Sequence, residues 1–554
     1  MSSARPAAGS AAAGVALHHP VAFWAGALAV VAGVLVHAPE FFAMGEIGYR
    51  MAGMPMTSMA LVMGLIVGGV GVAAYGLVPP AGPPSGGGAA DVGLRAMDDG
   101  PLTAAHWKLL TVLGTALVID VMKPATIGFV LPGIRDEYGL ATAQTAVLPL
   151  AALAGTTVGS LVWGSLADRI GRRASILLAS LLFMGTAVCG VMPAFEWNVA
   201  MCVLMGISAG GMLPIVYALM AESVPAKQRG WLVVLHGGLG TVGGYLAASG
   251  LAALLVPQFG WRVLWLVGLP TGALMLVLNR WIPESPRFLL AQGRVHQAAQ
   301  VMERFGVVVD SDDADQRRTA GAVENTPLAV TPRPASALRQ LFRPPYRTHT
   351  LTVGLYGLAW GLVNWGFITF LPTILEDSGA EVANASRLLF LSALIAIPGT
   401  VVVACLYGRW SSKKSMTLYA GGTAAALVGL AASSPVPGGP SEALLSPLVV
   451  LLLLSSGGMI AMLSPYTAEV YPTVVRGTSS GLAAGASKVG GIFGPPLVAG
   501  LVVLSPGFTA VALAAAAPMA VAAAAIACKG VETRGRPLED SAAPTGAPLV
   551  RDPV

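Results

Sequence analysis

Apolar runs of about 20 residues recur from one end of this chain to the other, long enough to cross a bilayer as helices. In lipid the backbone must satisfy its own hydrogen bonds, so such runs can only be helices or the strands of a closed barrel. Barrel strands would alternate apolar and polar residues over about ten positions, and that alternation is not found. The chain is therefore read as an all-α polytopic membrane protein. Composition agrees: 55% of its 554 residues are hydrophobic and 11% charged, with a mean hydropathy of +0.72. Soluble domains of this size do not look like that. The 69 glycines suit helices that must approach closely in lipid.

Several function classes drop out early. The net charge of +5 does not signal nucleic acid, because the basic residues sit mostly between the spans, where orientation accounts for them. Cys189, Cys202, Cys405 and Cys528 lie in apolar runs without metal-like spacing, so they read as reduced packing residues. Met44, Met51, Met54, Met56 and His37 could in principle offer soft-metal ligands, but they read as residues of a membrane-proximal turn, and no metal or cofactor is expected. No G-x-x-x-x-G-K-[ST] loop is present, which argues against an ATP-driven pump. No H-E-x-x-H or G-x-S-x-G element is present either, so the protein is not read as an enzyme. The first 20 residues lack the pattern of a signal peptide.

The spans group into segments. Residues 1–78 hold an extension with two apolar helices, at 21–39 and 58–78. Residues 79–106 form a flexible linker that opens with Pro79-Pro-Ala-Gly-Pro-Pro-Ser-Gly-Gly-Gly88. Six spans follow in 107–282, at 107–131, 141–163, 173–192, 198–220, 231–256 and 261–281. A polar segment, 283–346, contains a charged helix-like stretch from Phe288 to Phe305 and an acidic run from Asp310 that reads as disordered. Six more spans lie in 347–530, at 348–371, 386–408, 415–433, 444–465, 478–503 and 508–528. Residues 531–554 form a tail, and the total is about 14 spans. Lys and Arg concentrate on one set of alternate loops and on 283–346, which puts that face and both termini in the cytoplasm.

The two sets of six repeat each other. Glu222-Ser-Val-Pro225-Ala-Lys-Gln-Arg229-Gly230 follows the fourth core span, and Glu469-Val-Tyr-Pro472-Thr-Val-Val-Arg476-Gly477 follows the tenth. Glu284-Ser-Pro-Arg287 after the sixth is matched by Glu532-Thr-Arg534 after the twelfth. The offset is 247 in both cases (469 − 222 and 534 − 287). Two matches at one offset argue for a duplicated six-helix unit, the symmetry found in secondary transporters.

Between the second and third core spans lies Gly164-Ser-Leu-Ala-Asp168-Arg169-Ile-Gly171-Arg172-Arg173. Gly164 would let two helices approach, Gly171 would permit a tight turn, and Asp168 could face a helix N-terminus or pair with an arginine. This segment resembles the signature loop of the major facilitator superfamily. The paired E-x-x-P-x-x-x-R-G loops, Pro283-Glu-Ser-Pro-Arg-Phe-Leu289 and Gly530-Val-Glu-Thr-Arg-Gly-Arg-Pro-Leu538 resemble its sugar-porter and metabolite:proton symporter branches. The resemblance covers about 101–540. It implies two six-helix bundles around a central cavity that opens alternately to each side, plus the two extra N-terminal helices. Three departures stand out. The second-half loop Gly408-Arg-Trp-Ser-Ser-Lys-Lys414 lacks the aspartate and glycine, which implies a weaker latch. Cys202 stands where these families commonly carry an arginine. The seventh span lacks the glutamine pair of hexose porters, which favours the metabolite symporter side.

Asp120, Lys123 and Lys488 fall deep inside spans, where an ionisable group costs about 2.5–3.5 kcal/mol and usually faces a cavity or a partner. Asp120 and Lys123 are i,i+3 neighbours that could neutralise each other. Alternatively, Asp120 binds the coupling proton, and Lys123 or Lys488 holds an anionic substrate group. Pro124 removes the hydrogen bond to the carbonyl of residue 120 and predicts a kink there. His236 is a second proton candidate, and Trp360, Asn364 and Trp365 suit a small organic ligand. Lys123, near Asp120 on one helix, could supply the charge missing at Cys202.

The sequence thus predicts a secondary active transporter of the plasma membrane, moving a small, carboxylate-bearing solute by proton-coupled symport with alternating access. An exporter or a sugar or polyol porter of the same fold is the nearest alternative, and a transporter-like receptor a more distant one. The expected partners are the solute, protons and the bilayer, and the expected state is a monomer.

Overall fold

The computed structural model describes residues 18–54, 59–78, 97, 100–292, 294–307, 339–377, 382–433, 442–471, 473–504 and 508–533. The acidic run from Asp310, the loop between Pro79 and Gly88 and the tail beyond 533 lie outside them. Fourteen long helices carry the fold: α1 (Pro20–Leu35), α2 (Met59–Leu77), α3 (Ala104–Tyr138), α4 (Val147–Ile170), α5 (Arg172–Gly185), α6 (Phe195–Ser223), α7 (Ala226–Phe259), α8 (Gly268–Leu278), α9 (Arg347–Leu362), α10 (Val382–Cys405), α11 (Ser412–Ala432), α12 (Glu442–Val470), α13 (Thr473–Leu504) and α14 (Phe508–Lys529). No strand occurs among the described residues. Among the described residues, thirteen helical segments are long and apolar enough to cross a membrane. α13, at 32 residues, is a fourteenth of sufficient length.

Helix starts and stops follow local chemistry. α3 opens on a capping box: the Thr103 backbone N–H donates to His106 Nδ1 at 3.0 Å. It closes at Gly139, whose φ of +65° suits a residue without a Cβ. Between them the helix runs unbroken through Pro124 and Pro132. A change of helix type lies in the seventh core span, where α9 passes into a π-helical stretch, Val363–Ile368, before resuming as Thr369–Asp377.

Within each bundle, small residues set the closest approaches. A Cβ on Gly155, Gly159, Gly206 or Gly210 would run into backbone of the facing helix, so α4 and α6 lock together along one edge. Trp163 reinforces them, its indole donating to the Ile207 carbonyl at 2.7 Å. The halves meet where α7 lies against α10 and α12, where α13 crosses α4, and where Thr369–Asp377 crosses α3. Arg135 of α3 reaches Glu376 at 3.6 Å across that last crossing.

α1 and α2 form a hairpin that packs on α5, with Val30 and Ile66 against Gly185. After α8, two short helices, Pro286–Ala291 and Val295–Arg304, lie against the first bundle through Leu289, Ala298, Val301 and Met302. They fall in the charged helix-like stretch expected from Phe288 to Phe305.

Candidate functional site

Asp120 is buried midway along α3, and no described residue hydrogen-bonds its carboxylate. Tyr217 of α6 lies within electrostatic reach of it. The Tyr217 hydroxyl lies at Gly237 of α7, which abuts Ala461 of α12, so this group faces the seam between the halves. Tyr217 was not singled out from the sequence, where a tyrosine in an apolar span carries no positional signal.

Lys123 takes a different direction. Its Nζ donates to the Phe183 carbonyl at 2.6 Å and to the Thr186 hydroxyl, and it stands 4.0 Å from the centre of the Phe183 ring. Gly268 of α8 closes over it. Lys123 and Asp120 therefore do not form an ion pair. The ammonium points into the first bundle, within electrostatic reach of Cys189 and Cys202. Its charge lies beside the position where the resembling families carry arginine.

His236 links α7 to α3. Its Nδ1 is 2.8 Å from the Leu232 carbonyl and its Nε2 3.1 Å from the Leu110 carbonyl. A neutral imidazole can donate from one nitrogen only, so both contacts become hydrogen bonds when the ring is protonated.

The second half presents its own cluster. Lys488 of α13 donates to the Ser160 hydroxyl and to the Thr156 carbonyl of α4, at 3.4 Å for the latter. It thus bridges the two halves. A Cβ on Gly491, three residues on, would meet both Leu153 of α4 and the Trp365 indole. Asn364 and Trp365 lie in the π-helical stretch, a feature that recurs at functional sites. Trp360 donates its indole N–H to the Ser456 carbonyl of α12 at 3.0 Å. The residues that sequence grouped as ligand-lining therefore divide: Trp365 and Lys488 share one face of α13, and Trp360 is anchored on α12.

At the face with the basic loops, the repeated motifs interlock. Gly171 has a φ of +98°, and a Cβ there would strike the Glu284 carboxylate. Glu284 accepts from the backbone N–H of Arg172 at 2.8 Å and of Arg173 at 3.2 Å, so it caps the N-terminus of α5. Burial pushes its carboxyl above the usual range despite these donors. Arg172 then pairs with Glu222 at 3.3 Å, and Arg229 donates to the Val224 carbonyl at 3.1 Å. Arg169 is exposed. Gly164 has nothing within 4 Å among the described residues where a Cβ would stand, so the close approach expected there is not found. The side chains of Asp168 and Arg476 lie outside the described residues.

The second half repeats this plan with hydroxyls. Glu532 caps α11, accepting from the Ser412 N–H at 2.9 Å and from the Ser411 and Ser412 hydroxyls. Glu469, the counterpart of Glu222, accepts from Tyr407 at 2.7 Å and Thr533 at 2.6 Å. Burial raises the Glu469 carboxyl too.

This geometry can be set against known proteins. The sequence matches the profile of the Major Facilitator Superfamily over residues 113–495. The chain belongs to that superfamily. It is 27% identical to the niacin transporter NiaP of Acinetobacter baylyi, over 79% of this chain and 97% of that one. It is also 27% identical to a gallate transporter of Pseudomonas putida, over 72% and 86% of the two chains. Among solved structures, the xylose transporter XylE from E. coli, in a partially occluded inward open conformation, superposes with a TM-score of 0.62 at 16% identity, over 78% of this chain and all of that one. Membership makes this chain a multi-pass membrane transporter rather than an enzyme, with two six-helix bundles and the α1–α2 hairpin outside the matched segment.

Proposed function

We propose that this protein carries a small aromatic carboxylate across the plasma membrane together with a proton, as a monomer whose two bundles rock about a central site. The face with the basic loops is cytoplasmic in this reading, by the charge bias of its loops. One observation carries the substrate class: an ammonium (Lys488) and an indole (Trp365) share one face of α13 where it meets the other half. Lys488 and Gly491 are three residues apart, about 4.5 Å of rise, which matches a ring with a carboxylate on it. Asn364, in the same π-helical stretch as Trp365, is the proposed polar partner, and Trp360 holds α9 on α12. The transporters of niacin and gallate named above handle molecules of that chemistry.

Asp120 is the proposed proton site. A buried carboxylate with no hydrogen-bond partner is costly when charged and readily takes a proton. Tyr217 relays its state towards the seam. His236, whose two carbonyl contacts are both satisfied only with a proton bound, is the proposed second site. Lys123 supports the proton site by its charge at the Cys202 position rather than by touching substrate. In alternating access the loop motifs hold each bundle together as the two rock: Glu222–Arg172 within the first and the Glu469 hydroxyl cluster within the second.

Transport by the purified protein in proteoliposomes tests this. Labelled niacin and gallate should accumulate under a proton gradient directed with the solute. Asp120→Asn should lose gradient-driven accumulation, by at least tenfold for a general proton carrier, and keep solute exchange. Full accumulation by that variant would remove Asp120 from coupling.

A further inference from the structure

Lys488 is already engaged by the opposite half. Its ammonium donates to the Ser160 hydroxyl and to the Thr156 carbonyl. Ser160 in turn has its own proton directed at the Thr156 carbonyl (2.8 Å) or the Gly210 carbonyl (3.0 Å), which leaves its oxygen lone pairs for the lysine. The acceptor pair is rigidly placed. α4 is held on α6 by the glycine contacts and by Trp163, so Ser160 and Thr156 cannot follow the lysine if α13 shifts. Two of the three ammonium protons are thus taken by protein oxygens, and a carboxylate that draws Nζ towards itself competes with them for the lysine.

We infer that Ser160 is a specificity-determining residue: a protein ligand that competes with the substrate for Lys488 and that only an anionic group displaces. The ammonium–hydroxyl bond has one ionised partner, whereas an ammonium–carboxylate bond has two and adds the attraction of opposite charges. A carboxylate wins the ammonium, whereas a carboxamide or a hydroxyl offers nothing better than Ser160 already gives. The same exchange removes a tether between the bundles. Substrate binding thus frees α13 from α4, and the tether re-forms once the solute leaves. Apparent affinity is lowered by the fraction of protein in which Lys488 is held by Ser160, so weakening that hold should tighten binding. This rests on the proposal that Lys488 anchors the carboxylate.

The test is equilibrium binding of labelled niacin and gallate, and of nicotinamide as the neutral analogue, to the full-length protein in lipid nanodiscs. Ser160→Ala should bind the two acids roughly tenfold more tightly, the scale of one hydrogen bond to a charged group. It should also narrow the preference for niacin over nicotinamide. Ser160→Thr restores the hydroxyl and should return affinity towards wild type. Ser160→Cys, a weaker acceptor, should fall between them and serves if the alanine variant does not fold. Lys488→Met should lose both acids. Unchanged or weaker acid binding by Ser160→Ala, with Lys488→Met still inactive, overturns the competition and leaves the anchor in place. Normal acid binding by Lys488→Met, or no binding of either acid by the wild type, overturns the anchor itself and the competition with it.

Discussion

Lys123 brings a cation into the interior of the first bundle with no acidic partner at salt-bridge distance among the described residues. A carbonyl, a hydroxyl and a phenyl face hold it. The i,i+3 spacing from Asp120 made a neutral pair conceivable, and spacing alone could not decide. The decision came from α5 and α8, which offer the lysine a pocket on the side of α3 away from α7. That pocket depends on contacts distant in sequence, so it was not legible beforehand. Replacing a buried charge by an apolar side chain of similar volume is often neutral or stabilising. Lys123→Met should therefore melt at or above the wild-type temperature. If its charge serves the proton site, proton-driven uptake should nonetheless fall by about tenfold, the effect of a shift of one pKa unit at the coupling carboxyl. Melting followed by fluorescence and uptake into proteoliposomes measure the two effects. Wild-type uptake would make Lys123 a packing residue.

The elements were largely readable from hydropathy and from the paired motifs at one offset. Both repeats end in a half-buried glutamate that caps a helix: Glu284 on α5 and Glu532 on α11. The loops between them were less readable. The second-half loop lacks aspartate and glycine, which suggested a weak latch. Ser411, Ser412, Thr533 and Tyr407 make hydroxyl hydrogen bonds there instead. Hydroxyls have no spacing rule that announces such a cluster. The π-helical stretch was equally silent, because it depends on how α9 packs against α13. Glu284 yields a prediction at this scale. Burial holds its carboxyl above the ordinary range in the folded protein. Its contribution to stability is thus complete at pH below the ordinary carboxylate value and is lost as pH rises through the raised folded value. Wild-type protein should lose thermal stability as pH rises from the ordinary carboxylate range through the raised folded value, and Glu284→Gln should flatten that part of the profile. An identical pH profile for both would exclude Glu284 as its source.

At the scale of the whole molecule, the hairpin of α1 and α2 is what distinguishes this chain, since the matched family segment begins only at residue 113. The sequence showed its two helices but not their attachment. The loop between them reaches the far end of the first bundle. The backbone N–H groups of Met51 and Ala52 donate to Glu137 at 2.7 and 3.0 Å, and Gly53 donates to the Pro193 carbonyl at 2.8 Å. Glu137 also receives the Trp261 indole at 2.9 Å and pairs with Arg262 at 2.8 Å, with side-chain exposures of 6% and 1%. Two residues before Glu137, Arg135 makes the contact to Glu376 of the other half. The hairpin therefore seals a buried ion pair at the end of α3, beside the point where the bundles meet. Ala52→Pro removes one donor to a charged acceptor and should cost about 1.5–3 kcal/mol. Glu137→Ala strands Arg262 and should cost more, about 3–5 kcal/mol. Deleting residues 1–96 should lower the melting temperature and slow uptake, while niacin affinity stays near wild type, because Lys488 and Trp365 are held by α4, α9 and α13. Denaturation in detergent, uptake in proteoliposomes and binding in nanodiscs separate these effects. Unchanged melting of the deleted protein would make the hairpin a passenger, and lost niacin binding would tie it to the central site instead.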